Sequence, residues 1–276
     1  MFTHPVSASA GIVQWLALPL NFMVKAVSAA LFGLLLLAAF VFTAPMGSQE
    51  YYGFFRYDYL LFYAVTIQIC LLLLKLESWA EAKVIALFHI LAMGMEIFLT
   101  HPTIASWQYP QPAVLKLLTV PLFAGFMYSA VGSFFARSLR LYAVSFEKLP
   151  HFCNMLCLAV LSYLNFMTKF FIADIRIALF VWSVVIFWKT KLYFQLKQHR
   201  LKLPMLPILL LLAFLIWIAE NISTFYKIWL YPTQVEMWHL VSWTKLGSWY
   251  LLLLLSLVLV LKILGQRDQQ GNWHLT

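Results

Sequence analysis

Two glutamates sit where carboxylates are rarely tolerated. Glu96 interrupts the apolar run ILAMGMEIFLT, and Glu220 interrupts LIWIAENIST. An acidic group inside a spanning helix costs about 2.5–3.5 kcal/mol on insertion scales, so it ordinarily faces a partner or a wet cavity. A pair of such groups suits acid–base work, either protonating an alkene or handing a proton along a pore. Residue type alone does not choose between these. His89 lies two turns before Glu96 on the same helix face, and Thr100 one turn after it. Asn221 and Thr224 accompany Glu220, with no histidine matching His89. Glu96 and Glu220 are therefore the candidate catalytic residues, and His89, Thr100, Asn221 and Thr224 candidate binding residues.

Self-similarity ties the two carboxylates together. Trp107-Gln-Tyr109-Pro110 recurs as Trp229-Leu-Tyr231-Pro232, 122 residues later. Gly125-x-x-Tyr128 recurs as Gly247-x-x-Tyr250 at the same offset of 122. Upstream, Glu96-x-x-x-Thr100 recurs as Glu220-x-x-x-Thr224, 124 residues later, a slip of two within the connecting turn. Asp58 and Asp174 each open a span further back. Two linked elements at one offset point to an internal duplication. Trp107, Tyr109, Trp229, Tyr231, Asp58 and Asp174 join the candidate binding residues. Together these groups predict a polar pocket between the repeats, walled by aromatic rings. The bland alternatives are interfacial aromatics for the Trp and Tyr, local charge pairs for Asp58 with Arg56 and Asp174 with Arg176, and hydrogen-bonded structural groups for the glutamates.

The elements that must position these residues follow from composition. Of the 276 residues 63% are hydrophobic and only 11% charged, against about 25% charged in a soluble domain. That excludes a soluble globular enzyme, a disordered chain and a disulfide scaffold. Eight apolar runs predict spanning helices at 26–44, 59–76, 84–101, 117–136, 151–168, 173–192, 204–226 and 241–264. Residues 11–24 read as an interfacial lead-in. The predicted fold is an all-α, polytopic transmembrane bundle, a single domain over 1–276 holding two parallel three-span repeats, 50–140 and 170–264. Of the 19 basic residues, 13 fall on one side of these spans and six on the other. By the positive-inside rule the basic side, and with it both termini, is cytoplasmic. Segment 189–202 (KTKLYFQLKQHRLK) is its strongest marker and reads as an anchor for lipid phosphates.

Other chemistry finds little support. Cys70, Cys153 and Cys157 form no CxxC pattern. His89, Glu96 and His101 are ligand types without a recognised metal spacing, and neither a metal nor a cofactor is expected. No phosphate loop, GxSxG, HExxH or dinucleotide fingerprint is present. The net charge of +9 reads as topology and lipid attraction, not as nucleic-acid binding. Expected partners are membrane lipids and a hydrophobic small molecule, with the oligomeric state left open.

The segments FFRYDYLL (54–61), KVIALFHILAMGMEIF (83–98), SWQYP (106–110), VPLFAGFMYSAVGS (120–133), WIAENISTF (217–225) and WLYPTQVEMWHLVSWTKLGSW (229–249) resemble the YoaT-type family of bacterial integral membrane proteins, the domain of unknown function 817. The resemblance covers about residues 50–262. It implies a bacterial inner-membrane location and no particular reaction. Gln111 stands where that family leads one to expect an acid. Acidic residues before a Trp-x-Tyr turn also look loosely like the membrane carotenoid cyclases and hydratases, in which buried carboxylates are thought to protonate a polyene; the cyclase PxEE-type motif is missing. Three functions remain open: an enzyme on a lipid or isoprenoid, a small-solute or proton transporter, and a structural or accessory protein.

Overall fold

The computed structural model describes residues 8–197, 199–267 and 273–275. The extreme termini, expected on the cytoplasmic side, lie outside the described residues. Among these, nine helices carry the fold: α1 (Ala8–Ala29), α2 (Leu31–Phe42), α3 (Arg56–Leu73), α4 (Trp79–Leu99), α5 (Ala124–Leu141), α6 (Phe152–Thr168), α7 (Arg176–Phe187), α8 (Met205–Phe225) and α9 (Thr244–Leu264). Four of them, α3, α4, α8 and α9, are long and apolar enough to cross a membrane. A fifth crossing follows if α1 and α2, bent by 67° at their junction, count as one broken span.

Several expected spans change shape. The run 26–44 does not form one straight helix. Its first residues finish α1, which is held by Lys25 Nζ donating to the Gln195 carbonyl (3.1 Å) and by Tyr142 donating to the Phe22 carbonyl (2.8 Å). The run 117–136 begins later. Lys116–Leu117 (β1) and Val120–Pro121 (β2) first form a two-residue hairpin, and α5 follows. α5 itself is less apolar than the four crossing helices, because Ser129, Ser133 and Arg137 point into the bundle. The run 173–192 yields only the 12 residues of α7, about 18 Å at 1.5 Å per residue, short of a 30 Å hydrocarbon core.

The all-α expectation needs correction. Segment 189–202 is not a solvated tether. It forms most of a hairpin, β4 (Lys191–Leu196) with β5 (His199–Pro204). This hairpin extends into a five-stranded antiparallel sheet with β3 (Ser145–Glu147), β6 (Gly265–Arg267) and β7 (Trp273–Leu275), in the order β5-β4-β3-β7-β6. The physical reason is period-two alternation: Leu192, Phe194 and Leu196 share one face of β4. The sheet gathers the connections at the basic end of the bundle.

At the centre, α4 and α5 pack along most of their lengths. Gly125, Ser129, Gly132, Ser133 and Ala136 form a buried stripe of small side chains on α5, which allows close approach. An added Cβ at Gly125 would lie 2.5 Å from His89 Nδ1, and one at Gly132 2.8 Å from the Phe88 ring. Toward the basic end the same helix pair buries an ionic cluster. Arg137 Nη1 lies 3.8 Å from Glu77, which also accepts from Ser133 and Gln68, and Arg140 Nε pairs with Glu81 at 2.9 Å. Gly125→Ala is expected to cost about 1–3 kcal/mol of stability through overpacking. His89→Ala in the same chain should recover most of that loss, measured by thermal unfolding of the detergent-solubilised protein.

Candidate functional site

Both sequence-flagged glutamates lie in the last turns of long helices, Glu96 on α4 and Glu220 on α8. Each helix is followed by its WxYP segment, which folds back over the helix end. The return is tight: Ala105 takes a positive φ of 45°, and Ser106 N donates to the Leu99 carbonyl at 2.9 Å. Trp107 is thereby turned inward and is 4% exposed.

The carboxylates are met by indole and phenol donors. Trp107 Nε1 and Tyr109 OH each donate to Glu96 Oε2 at 2.8 Å, and Tyr128 OH donates to Oε1 at 2.8 Å. Tyr231 OH donates to Glu220 Oε1 at 2.5 Å, and Trp249 Nε1 to Oε2 at 2.8 Å. Tyr109 and Tyr231, which lie in the turns, have phenols pushed well above the ordinary value of 10, first by burial and then by the neighbouring carboxylate. They stay protonated and keep donating.

The two WxYP segments touch at equivalent positions. Gln108 and Leu230, the second residues of the two WxYP segments, exchange both backbone hydrogen bonds at 2.9 Å in an isolated antiparallel bridge. Trp107 meets Tyr231 edge to face at 6.3 Å, and Tyr128 lies against Trp249 at 6.1 Å. Both carboxylates consequently line a single cavity of about 40 Å³, with Trp229, Phe166 and Lys245 among its other walls. That is room for a few waters at most. Glu220, Trp229 and Trp249 also wall a larger groove of about 410 Å³ between α2, α5 and α8. Apart from Glu220 and Ser223, its lining is apolar or aromatic.

Other flagged residues serve elsewhere. Asp58 is fully buried and closes the start of α3, accepting from Phe55 N (2.9 Å), Val114 N (3.0 Å) and Leu115 N (2.7 Å). The expected Arg56–Asp58 pair does not form. Arg56 instead donates to the carbonyls of Phe40 (2.6 Å) and Tyr226 (3.0 Å), to Thr43 Oγ1 (3.1 Å) and to Gln111 (3.3 Å). Asp174 does pair with Arg176, at 2.6 Å, and accepts from Asn165 at 3.0 Å. Burial works to raise that carboxyl, yet the bonds from Arg176 and Asn165 hold it from the ordinary 3.8 down to about 2. Thr100 bonds Thr119 at 2.7 Å. Asn221 Oδ1 accepts from Val241 N at 2.8 Å, and Thr224 Oγ1 from Trp238 Nε1 at 3.1 Å. All three brace loops. His89 packs on Phe126 at 4.6 Å and does not line the cavity. Among the described residues no group of three His, Cys, Asp or Glu could hold a metal.

Three site residues went unmarked as site residues. Tyr128 was visible within the Gly-x-x-Tyr repeat. Trp249 is its neighbour-in-register on α9, one residue before Tyr250. Lys245 was visible as a basic residue on the side poor in basic residues.

Two measurements follow. Glu96→Leu should destabilise more than Glu220→Leu, because it strands three donors instead of two, each costing about 1–3 kcal/mol when buried and unpaired; thermal unfolding in detergent reads the difference. Asp174 has a depressed folded pKa, so its stabilisation is complete above the ordinary 3.8 and fades as pH falls toward about 2. The melting-temperature gap between wild type and Asp174→Asn should accordingly be full at pH near 6 and shrink on acidification through that window.

The family described as "Protein of unknown function (DUF817)" matches residues 19–257. The "Uncharacterized protein YoaT" of Bacillus subtilis (strain 168) is 38% identical over 214 residues, covering 78% of this chain and 80% of its own. No solved structure matches. With a match across most of its length, the chain belongs to the DUF817 family.

Proposed function

We propose that this is a multi-pass protein of the bacterial inner membrane that holds a hydrophobic molecule of lipid or isoprenoid type and acts on it through Glu96 and Glu220. In this reading the chain is two parallel repeats, with α3–α5 corresponding to α7–α9, and α1–α2 and α6 supplying the remaining predicted crossings. The basic sheet end faces the cytoplasm together with both termini. The WxYP turns face outward. The symmetric bridge between Gln108 and Leu230 supports the duplication, since it joins residues that correspond at the repeat offset.

One observation carries the functional reading: Glu220, Trp229 and Trp249 wall both the acidic cavity and the apolar groove. At about 410 Å³ the groove lies within the usual range of about 300–1,000 Å³ for ligand pockets. An elongated apolar chain lies in it with one end at Glu220. The smaller cavity is too tight for a second ligand and suits waters that pass protons between the two carboxylates. The apolar lining favours this over passage of a hydrophilic solute.

A second reading has its own support. Each glutamate oxygen already has an internal donor, as expected if both carboxylates only fasten the turns to the helices. The two readings separate in a deletion strain. Its lipid and pigment profile should differ from the parent's and be restored by the wild-type gene. Restoration should fail with Glu96→Gln or Glu220→Gln at matched protein levels and melting temperatures. Full restoration by both substitutions would sink the acid–base role and leave the fastening role.

A further inference from the structure

Three of the basic residues on the turn side collect in one place. Lys245 stands at the start of α9 with its ammonium 4.1 Å from the Tyr231 ring centre and 5.7 Å from that of Trp107. Lys169, just after α6, sits 4.7 Å over Phe166. Phe166, Trp107 and Tyr231 all wall the acidic cavity, so both lysines ride on its aromatic rim. Arg176 is the third cation, and its field reaches both lysines.

Their charge balance is uneven. Arg176 is matched by Asp174 at 2.6 Å. Among the described residues neither Lys169 nor Lys245 makes an ion pair. Glu220, the carboxylate whose field reaches Lys245, is already engaged by Tyr231 and Trp249. Burial and then repulsion by Arg176 pull Lys169 below the ordinary lysine value, against a smaller opposing attraction from Asp174, which Arg176 already occupies. Half-buried like charges without an ion pair of their own are costly, and the positive-inside tendency works against lysines on this side. An external anion removes both costs.

We propose that Lys169 and Lys245 bind the phosphate of an anionic lipid in the outer leaflet, with the lipid's chain descending into the apolar groove. This deepens the lipid-type reading above, on which the chain's position rests. Lysine ammonium groups bind phosphate as point charges, and the aromatic faces beneath them keep the two amines in place without neutralising them. Trp229 and Trp249 wall both the cavity beneath this rim and the groove. The substrate class is thereby narrowed to a phosphate-bearing lipid, in preference to a neutral polyene.

The test is native mass spectrometry of the full-length protein in detergent, titrated with phosphatidylglycerol or with phosphatidylcholine of the same chains. Wild type should retain phosphatidylglycerol preferentially. Lys169→Gln with Lys245→Gln should weaken that retention about thirtyfold, given roughly 1 kcal/mol per basic residue near an anionic surface. Phosphatidylcholine binding should not move. Lys169→Arg with Lys245→Arg should keep the preference, which guards against misfolding as the cause of loss. Lys75→Gln with Lys83→Gln, exposed lysines at the opposite end of the bundle, should leave it intact. The proposal is overturned if wild type shows no preference, if the rim variant binds like wild type, or if only the Lys75/Lys83 variant loses binding. Displacement of the lipid by millimolar inorganic phosphate would also overturn it, by showing a free-anion site. An unchanged deletion phenotype would sink the enzymatic reading without touching this titration.

Discussion

A carboxylate placed inside an apolar bundle must be answered by donors, and much of the turn end of this protein is arranged to supply them. Glu96 and Glu220 sit at helix ends, where an adjacent turn can bring indole and phenol groups back over the carboxyl. Such donors suit the position, because each brings a polar atom on a large apolar body. Satisfying the two acids therefore also packs the aromatic rim and brings the two WxYP turns into register against each other.

The surroundings hold those turns in place. Arg56 ties the end of α2, the residue after the first WxYP turn and the end of α8 into one knot of carbonyl and amide acceptors. An acid in place of Gln111 would face this guanidinium directly; here the amide does so, and backbone carbonyls do the rest. Asp58 pins the loop that follows. At the other end, Arg137, Glu77 and Glu81 lock α5 against the α3–α4 corner. The groove wall of α2 lies between these two fastened ends.

Much of this was legible in the sequence, and what was missed has physical causes. Glu96 and Glu220 stood out because charge is conspicuous in an apolar run. Their donors Trp107, Tyr109 and Tyr231 stood out because a repeat exposes them. Trp249 did not, because the second half takes its indole from α9 in place of the phenol that Tyr128 offers in the first. Tyr250, which corresponds to Tyr128, turns instead to Ser183 at 3.0 Å. Asp58 carries the right residue type but spends its oxygens on backbone amides, a use that spacing cannot distinguish from ligand binding. The sheet was missed because a search for long apolar runs passes over a six-residue strand with alternating side chains. The start of α5 was misplaced because the β1–β2 hairpin before it (Leu117, Leu118, Val120, Leu122) is as apolar as a helix that crosses a membrane.

The two WxYP turns meet and so build one shared site. That meeting is tested most directly by cross-linking Gln108 to Leu230. A hydrogen-bonded antiparallel pair has its Cα atoms about 5.5 Å apart, within disulfide range. In a chain with Cys70, Cys153 and Cys157 replaced, Gln108→Cys with Leu230→Cys should form an intramolecular disulfide under mild oxidation, read as a loss of two hydrogens by intact mass. Quantitative recovery of two free thiols from the folded protein would contradict the shared site.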